Sequence, residues 1–321
     1  MAVSKKMGAV CVLGGTGFVG RVLAARLVRE GYTVRIPTRN RQKARELLVL
    51  PGLELVQADI HDAAQLTALL RDCRAVINLV GILNERGSDG SGFRHAHVEL
   101  AEKLMAACRR SGVRRLVQMS ALKANAERGP SHYLRSKGEA EQVIQSQAGE
   151  NIQFTIFRPS VIFGAGDSFC LRFARILRRT PVLPMAGLNA RFAPVYVGDV
   201  AEAFVRALPD NRSFGQTYEL CGPEVYTLDE ILRFVCRELA IRRALVNLPQ
   251  SLGRLQAWIG EFLPGKPLSR DNLRSLTVAS VCRDNGFAAF GIVPRPMEPI
   301  VRACLRGNVD ELAAIRDRGH R

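Results

Sequence analysis

The stretch Val10-Cys11-Val12-Leu13-Gly14-Gly15-Thr16-Gly17-Phe18-Val19-Gly20 decides how this chain folds. An apolar run leads into glycines spaced G-x-x-G-x-x-G at Gly14, Gly17 and Gly20, and an amphipathic run over residues 21–30 follows at once. Strand, tight turn, helix is the order a phosphate cradle requires. Gly14 lets the chain turn sharply, Gly17 leaves room for backbone N–H groups to approach a pyrophosphate, and Gly20 lets the helix lie close on the strand. The helix start adds unpaired N–H groups and the positive end of its dipole. Gly14, Thr16, Gly17, Phe18, Val19 and Gly20 are therefore candidate cofactor contacts. A glycine-rich turn without a ligand is the bland alternative, and the flanking strand and helix signals argue against it.

Residues 33–37 read as a second strand, followed by Thr38-Arg39-Asn40-Arg41-Gln42-Lys43. About 20 residues after the glycines, an NAD(H) site carries an Asp or Glu for the adenosine ribose hydroxyls. Arg39, Arg41 and Lys43 stand there instead. A guanidinium suits a 2′-phosphate, so NADP(H) is favoured over NAD(H), with Arg39 nearest the strand end; the alternative is a solvated helix start. Residues 53–58 form a third strand ending in Asp59-Ile60. Asp59 can bond an adenine amino group while Ile60 packs on the ring, or it can cap the next helix, a role that also suits Asp62. Residues 75–80 form a fourth strand, and Val80 and Gly81 at its end would line the cofactor, because ligands of open α/β sheets sit at the carboxyl ends of strands.

Residues 84–92 are polar and glycine-bearing, which predicts a mobile loop. A helix over 93–111 carries His95 and His97, two apart and so facing different ways; no metal site is expected. A fifth strand, 114–119, ends at Ser120. Tyr133 and Lys137 then open a helix at i and i+4, on one face. A phenol is a poor acid–base catalyst at neutral pH unless a neighbouring ammonium lowers its pKa. Ser120 can hold a carbonyl toward Tyr133, and Lys137 can bond the nicotinamide ribose, so these three are the candidate catalytic residues. The alternative is an ordinary amphipathic helix start. With a sixth strand at 152–157, the alternation predicts an α/β chain: a Rossmann-type doubly wound parallel sheet.

The whole chain of 321 residues is 47% hydrophobic and 24% charged, an ordinary globular composition, with a net charge of +16 that calls for an anionic partner. The arginines are spread rather than blocked, and one Trp and five Tyr offer little for base stacking, so nucleic acid is not an expected partner. Eight cysteines without a C-x-x-C pair read as reduced thiols in the cytoplasm. The N-terminus runs into the first strand without room for a signal peptide, and no run is long enough to span a bilayer.

The residues Gly14-Gly15-Thr16-Gly17-Phe18-Val19-Gly20, Asp59-Ile60, Ser120, Tyr133-x-x-x-Lys137 and Arg158-Pro159-Ser160 together resemble the short-chain dehydrogenase/reductase superfamily in its extended and atypical branches. Residues 191–201 look like its C-terminal strand and helix start. The resemblance adds Arg158 and Pro159 to the cofactor contacts. Residues 133–141, 158–166 and Leu263-Pro264-Gly265-Lys266-Pro267-Leu268-Ser269-Arg270-Asp271-Asn272 are more narrowly similar to bacterial relatives of the accessory subunit of respiratory complex I that shares this fold. That subunit family holds NADPH tightly, contacts the membrane arm and has no established turnover. The likeness implies an NADP(H)-binding accessory, assembly or regulatory component of a respiratory NADH:quinone or quinone-linked system. The alternative is a catalytic NADP-dependent oxidoreductase, or an epimerase/dehydratase acting on a carbonyl or sugar-type substrate. His97 stands near where the extended enzymes often carry Asn, and no residues that grip nucleotide-sugar diphosphates are recognisable. Both weigh against a sugar-nucleotide epimerase.

Residues 1–165 are thus read as the NADP(H)-binding domain, and 166–321 as a small, mainly helical lobe, with 190–210 returning to the sheet. In the lobe, 167–180 is a basic amphipathic helix suited to a membrane, an acidic partner or a solvated lid. Helices follow over 227–240, 250–262 and 269–276, then a looser chain after Arg283. The expected partners are a nicotinamide dinucleotide and either respiratory-chain proteins or an anionic membrane surface. The expected place is the cytoplasm, peripherally on the inner face of the cytoplasmic membrane.

Overall fold

The computed structural model describes residues 8–167, 169–263, 266 and 268–307; the extreme N-terminus, the polar tail, and Ser168, Pro264, Gly265 and Pro267 lie outside them. Successive βαβ units run through β1 (Ala9–Leu13), α1 (Phe18–Arg29), β2 (Thr33–Thr38), β3 (Leu53–Gln57), α2 (Ala63–Leu69) and β4 (Cys73–Asn78). Next come α3 (Ser91–Arg94), a π-helical turn (His95–Glu99), α4 (Leu100–Ser111), β5 (Arg115–Met119), α5 (His132–Ala148) and β6 (Gln153–Pro159). The chain then passes through β7 (Ile162–Phe163), α6 (Cys170–Arg179), β8 (Val182–Met185), β9 (Arg191–Phe192), β10 (Val195–Tyr196) and α7 (Val197–Ala207). It re-enters the sheet as β11 (Gln216–Leu220), while β9 and β10, within residues 190–210, lie in two-stranded pairs outside that sheet. The seven strands lie in the order β11-β6-β5-β4-β1-β2-β3, and every pairing is parallel. The order reverses between β1 and β4, which places the ligand crevice outside their carboxyl ends.

Period-two alternation sends β1 side chains to two cores. Val10 and Val12 join Leu23 and Leu27 of α1 and Phe204 of α7 on one face. Cys11 and Leu13 join Leu66, Leu104 and Ile144 on the other. Helices on both faces bury a parallel sheet completely. The remaining elements are β12 (Tyr226–Thr227), α8 (Leu228–Glu238), β13 (Ala244–Asn247), α9 (Gln250–Gly260), α10 (Arg270–Ser275) and α11 (Met297–Leu305). A third core packs Leu177 of α6, Leu232 and Val235 of α8 and Val301 of α11. Thr227 and Glu230 form the capping box that starts α8. Helix α11 occupies the segment read as looser chain: Pro296 precedes it and Pro299 sits in its first turn, where no N–H is needed.

One expectation is corrected. Cys221, just past β11, and Cys282 form a disulfide, with Cα atoms 6.0 Å apart. The two are 61 residues apart, and sequence spacing carries no signal for such a pair. The other six cysteines form none.

Two outcomes check this architecture. A Cβ at Gly20 would lie 2.4 Å from the Gly14 carbonyl oxygen and 2.5 Å from Gly15 Cα, both backbone atoms, so Gly20→Ala should destabilise the chain by about 3 kcal/mol in urea unfolding. Thiol titration of the unfolded, unreduced protein should count six thiols; a count of eight contradicts the disulfide.

Candidate functional site

Gly14 takes φ +75°, the left-handed conformation that turns the chain out of β1. A side chain there would meet the Leu79 and Val80 backbone at 3.2 Å, so β4's exit lies against the turn. Gly15 is equally constrained: its Cβ would stand 2.8 Å from the Ile36 side chain. Gly17 caps α1 with extended backbone and no side-chain hydrogen bond, leaving the first-turn N–H groups at Phe18 and Val19 for an external acceptor. Arg21 Nε donates to the Thr16 carbonyl at 2.8 Å and its guanidinium pairs with Glu46, bracing the turn from one side.

At the end of β2, Arg39, Arg41 and Lys43 are exposed, and among the described residues none of the three forms an ion pair. The acid that follows them, Glu46, is taken by Arg21. At the end of β3 the two roles open to Asp59 separate. Asp62 caps α2, accepting from the Ala64 and Gln65 N–H groups at 2.9 Å. Asp59 accepts from the His61 N–H at 2.9 Å and stays exposed. Ile60 and Val80 pack beside the second core.

The second half of the site gathers at the ends of β4 and β5. Lys137 is buried, and its Nζ donates to the carbonyls of Val80 at 3.2 Å and Met119 at 3.3 Å. A Cβ on Gly81 would lie 3.0 Å from that Nζ. Burial pushes the Lys137 ammonium down to about 8, with Glu141 opposing. Ser120 Oγ is buried with no hydrogen-bond partner among the described residues. The Tyr133 ring meets Phe93 and His97 edge-on, at 6.1 and 5.8 Å. Burial pushes its hydroxyl up to about 12, and the neighbouring Lys137 ammonium is bonded to the Val80 and Met119 carbonyls.

His97 holds these parts together. Its Nε2 accepts from the Ile82 N–H at 3.2 Å, so Nδ1 carries the hydrogen and donates to Ser136 Oγ at 2.8 Å. Ser136 in turn donates to the Tyr133 carbonyl at 2.9 Å. Burial and the Lys137 charge push His97 down to about 2, which keeps the imidazole neutral. Asp271 of α10 accepts from the His132 and Tyr133 N–H groups at 2.7 and 3.1 Å, fixing the start of α5 as a carboxylate at a helix N-terminus does. The 84–92 loop, read as mobile, is tied down: Lys266 Nζ donates to the Glu85 and Arg86 carbonyls at 2.7 and 3.0 Å, and Glu85 accepts from Gly90 and Gly92.

The structure thus brings Gly14, Val80, Gly81, Lys137 and the end of β5 before Ser120 into one continuous line, with Arg39 and Asp59 at the ends of β2 and β3. Arg158, expected at the cofactor, has its guanidinium engaged by the buried Glu141 carboxylate, with Nε to Oε1 at 2.9 Å, which clamps α5 to β6. The Pro159 carbonyl accepts from the Leu122 N–H at 3.0 Å. Gly15, Arg21, His97 and Asp271 were not among the candidate site residues. Only the last two had a signal, His97 as a departure from the enzyme pattern and Asp271 within the 263–272 stretch.

A glycine turn at the switch point, facing a strand-end Ser and a Tyr-x-x-x-Lys helix, defines a dinucleotide-binding Rossmann protein of the short-chain dehydrogenase/reductase type. The chain belongs to the NAD dependent epimerase/dehydratase family, which it matches over residues 10–221. It is 31% identical, over 89% of its length and 74% of the relative's, to the mitochondrial NADH dehydrogenase (ubiquinone) 1 alpha subcomplex subunit 9 of Arabidopsis thaliana. It is 28% identical to a ceramide reductase of Caulobacter vibrioides, over 75% of this chain and 74% of that protein. The fold of UDP-glucose 4-epimerase from Thermus thermophilus superposes with a TM-score of 0.74 at 22% identity, covering 94% of this chain and all of that one.

Lys137 generates a pH signature. The unfolded chain holds that proton up to about 10.5 while the folded chain releases it near 8, so the unfolded state binds more protons between the two and stability rises with pH there. Comparing wild type with Lys137→Met between pH 8 and 10, the wild type should gain about 2 kcal/mol relative to the variant in chemical unfolding. Parallel pH profiles would contradict the buried ammonium.

Proposed function

We propose that this chain holds NADP(H) in preference to NAD(H). We further propose that it serves as an accessory, assembly or regulatory component of a respiratory NADH:quinone or quinone-linked system, attached peripherally to the inner face of the cytoplasmic membrane. The observation that carries the cofactor reading is the pairing of a bare α1 N-terminus with the unpaired Arg39 at the end of β2. The residues fit such a group: the head of α1 at Gly17 carries no side-chain cap, and Ser120 Oγ is a buried hydroxyl in want of a partner. Gly14, Thr16, Gly17, Phe18, Val19 and Gly20 would hold the diphosphate, Asp59 and Ile60 the adenine, Val80 and Gly81 the middle, and Tyr133 and Lys137 the nicotinamide ribose. The likeness to the Arabidopsis subunit supports the accessory role. Among the described residues no helix is long and apolar enough to cross a membrane.

A second reading rests on the same orphaned Ser120 hydroxyl and on the Tyr133 hydroxyl, which has no hydrogen bond among the described residues. Two such hydroxyls suit a substrate carbonyl, with Ser120 orienting the oxygen and Tyr133 giving it a proton. The resemblance to the Caulobacter reductase supports this reading.

Calorimetry separates the cofactors. NADPH should bind more tightly than NADH, and Arg39→Ala should weaken NADPH about tenfold to a hundredfold while leaving NADH unchanged. A preference for NADH, or an indifferent Arg39, overturns the phosphate reading. Blue-native separation of mildly solubilised membranes should place the chain with respiratory complexes. Oxidation of NADPH by a carbonyl or quinone, abolished by Tyr133→Phe, would establish the second reading instead.

A further inference from the structure

Helix α9 is built inside out. Its buried positions are Gly253, Ala257 and Gly260, at i, i+4 and i+7, one stripe of the helix. Each small residue permits close contact with the body: a Cβ on Gly253 would lie 2.3 Å from Ala186 Cβ, and one on Gly260 2.4 Å from the Leu268 carbonyl oxygen. The large apolar side chains are on the opposite arc. Leu252, Leu255, Trp258 and Ile259, with Phe262 and Leu263 just beyond, are about half exposed or more, and Phe262 is 74% exposed. Trp258 and Phe262 pack edge to face at 5.3 Å. The helix cannot roll this face inward, because the tight glycine contacts fix its rotation. Its terminal acid, Glu261, is drawn onto Arg270.

The ground around this face is mainly cationic. β13, which leads into α9, pairs with β8, which follows α6; Arg243 Nε donates to the Leu177 carbonyl at 2.7 Å, and Gln256 Nε2 to that of Pro184. α6, β8, β13 and α9 are therefore one contiguous region, with Val182 and Val246 exposed between the helices. Residues 170–190 and 239–260 contain no Asp or Glu. They carry Arg172, Arg175, Arg178, Arg179, Arg243 and Arg254, among others, and among the described residues none of these forms an ion pair. Contiguous exposed apolar side chains of this size mark an interaction surface. Leu, Trp and Phe among unpaired arginines match the boundary between anionic headgroups and acyl chains, where aromatic rings and guanidinium groups both gain.

We propose that the outward face of α9 seats the protein on an anionic lipid bilayer, with Trp258 and Phe262 entering the headgroup–acyl boundary and the α6 arginines meeting the headgroups. This deepens the peripheral attachment proposed above and names the surface that makes it.

Trp258 is the chain's one tryptophan, so the full-length protein reports on itself. Phosphatidylglycerol/phosphatidylcholine vesicles should shift its emission to the blue, and acyl-brominated lipid should quench it. Pure phosphatidylcholine, or high salt with the mixed vesicles, should weaken both effects. Leu255→Ser with Ile259→Ser should lower vesicle partition about tenfold or more, and Arg175→Gln with Arg178→Gln about fivefold per arginine, with melting and dinucleotide binding unchanged. No shift, or undiminished partition in the double-serine variant, overturns the proposal. So does a shift that grows with protein concentration without vesicles as the mass doubles, since a second copy then covers the face. A chain that ignores vesicles yet binds NADPH and migrates with respiratory complexes overturns the lipid face alone. One that binds vesicles but does neither overturns the accessory reading alone.

Discussion

The contact between the first turn of α1 and the glycine turn beneath it sets the rest of the structure. Gly20 rests against the Gly14 carbonyl and Gly15 Cα with no space for a methyl group. That approach aims the helix N-terminus at the carboxyl edge of the sheet, at the gap between β1 and β4. The same turn touches Leu79 and Val80, and Val80 accepts from Lys137. One short-range packing constraint therefore registers the phosphate cradle against the Tyr133 helix on the far side of the crevice.

The C-terminal lobe completes this edge rather than merely flanking it. Asp271 accepts from the first N–H groups of α5, Asn272 donates to the Leu83 carbonyl at 3.0 Å, and Lys266 gathers the carbonyls of the 84–92 loop. Ser275 and Ser131 bond across the same junction at 2.8 Å. Several polar contacts of good geometry, the part-buried ones above all, together hold position more firmly than lone surface ion pairs do. The strap thus holds Tyr133 and its loop in one arrangement, which suits retention of a ligand as well as it suits chemistry on one.

Most of the sheet was legible in the sequence because a parallel strand buried on both faces reads as an apolar run, and several runs here lead into a helix-period run. The glycine turn was legible for a stronger reason: Gly14 and Gly20 sit where no side chain fits, and that shows in the residue type. The Cys221–Cys282 bond, the Arg158–Glu141 clamp and the Asp271 contact were not legible, since each joins residues far apart in the chain whose types are also common on surfaces. Helix α11 was hidden by prolines that do no harm in a first turn. The i, i+4 spacing of Tyr133 and Lys137 shows their nearness, while the carbonyls that hold the ammonium come from the ends of β4 and β5 and show only in the fold. His97 looked like a departure from the enzyme pattern, and in the folded chain it bridges Ile82 to Ser136.

The central claim is that amide hydrogens at the head of α1 grip the diphosphate of a nicotinamide dinucleotide. Native mass spectrometry of the purified full-length chain tests it most directly. The account predicts one dinucleotide retained per chain, with the mass of the 2′-phosphorylated form, and a bare chain for Gly17→Val. A wild-type chain that stays bare in an excess of either dinucleotide, or a Gly17→Val chain that keeps its ligand, would contradict it.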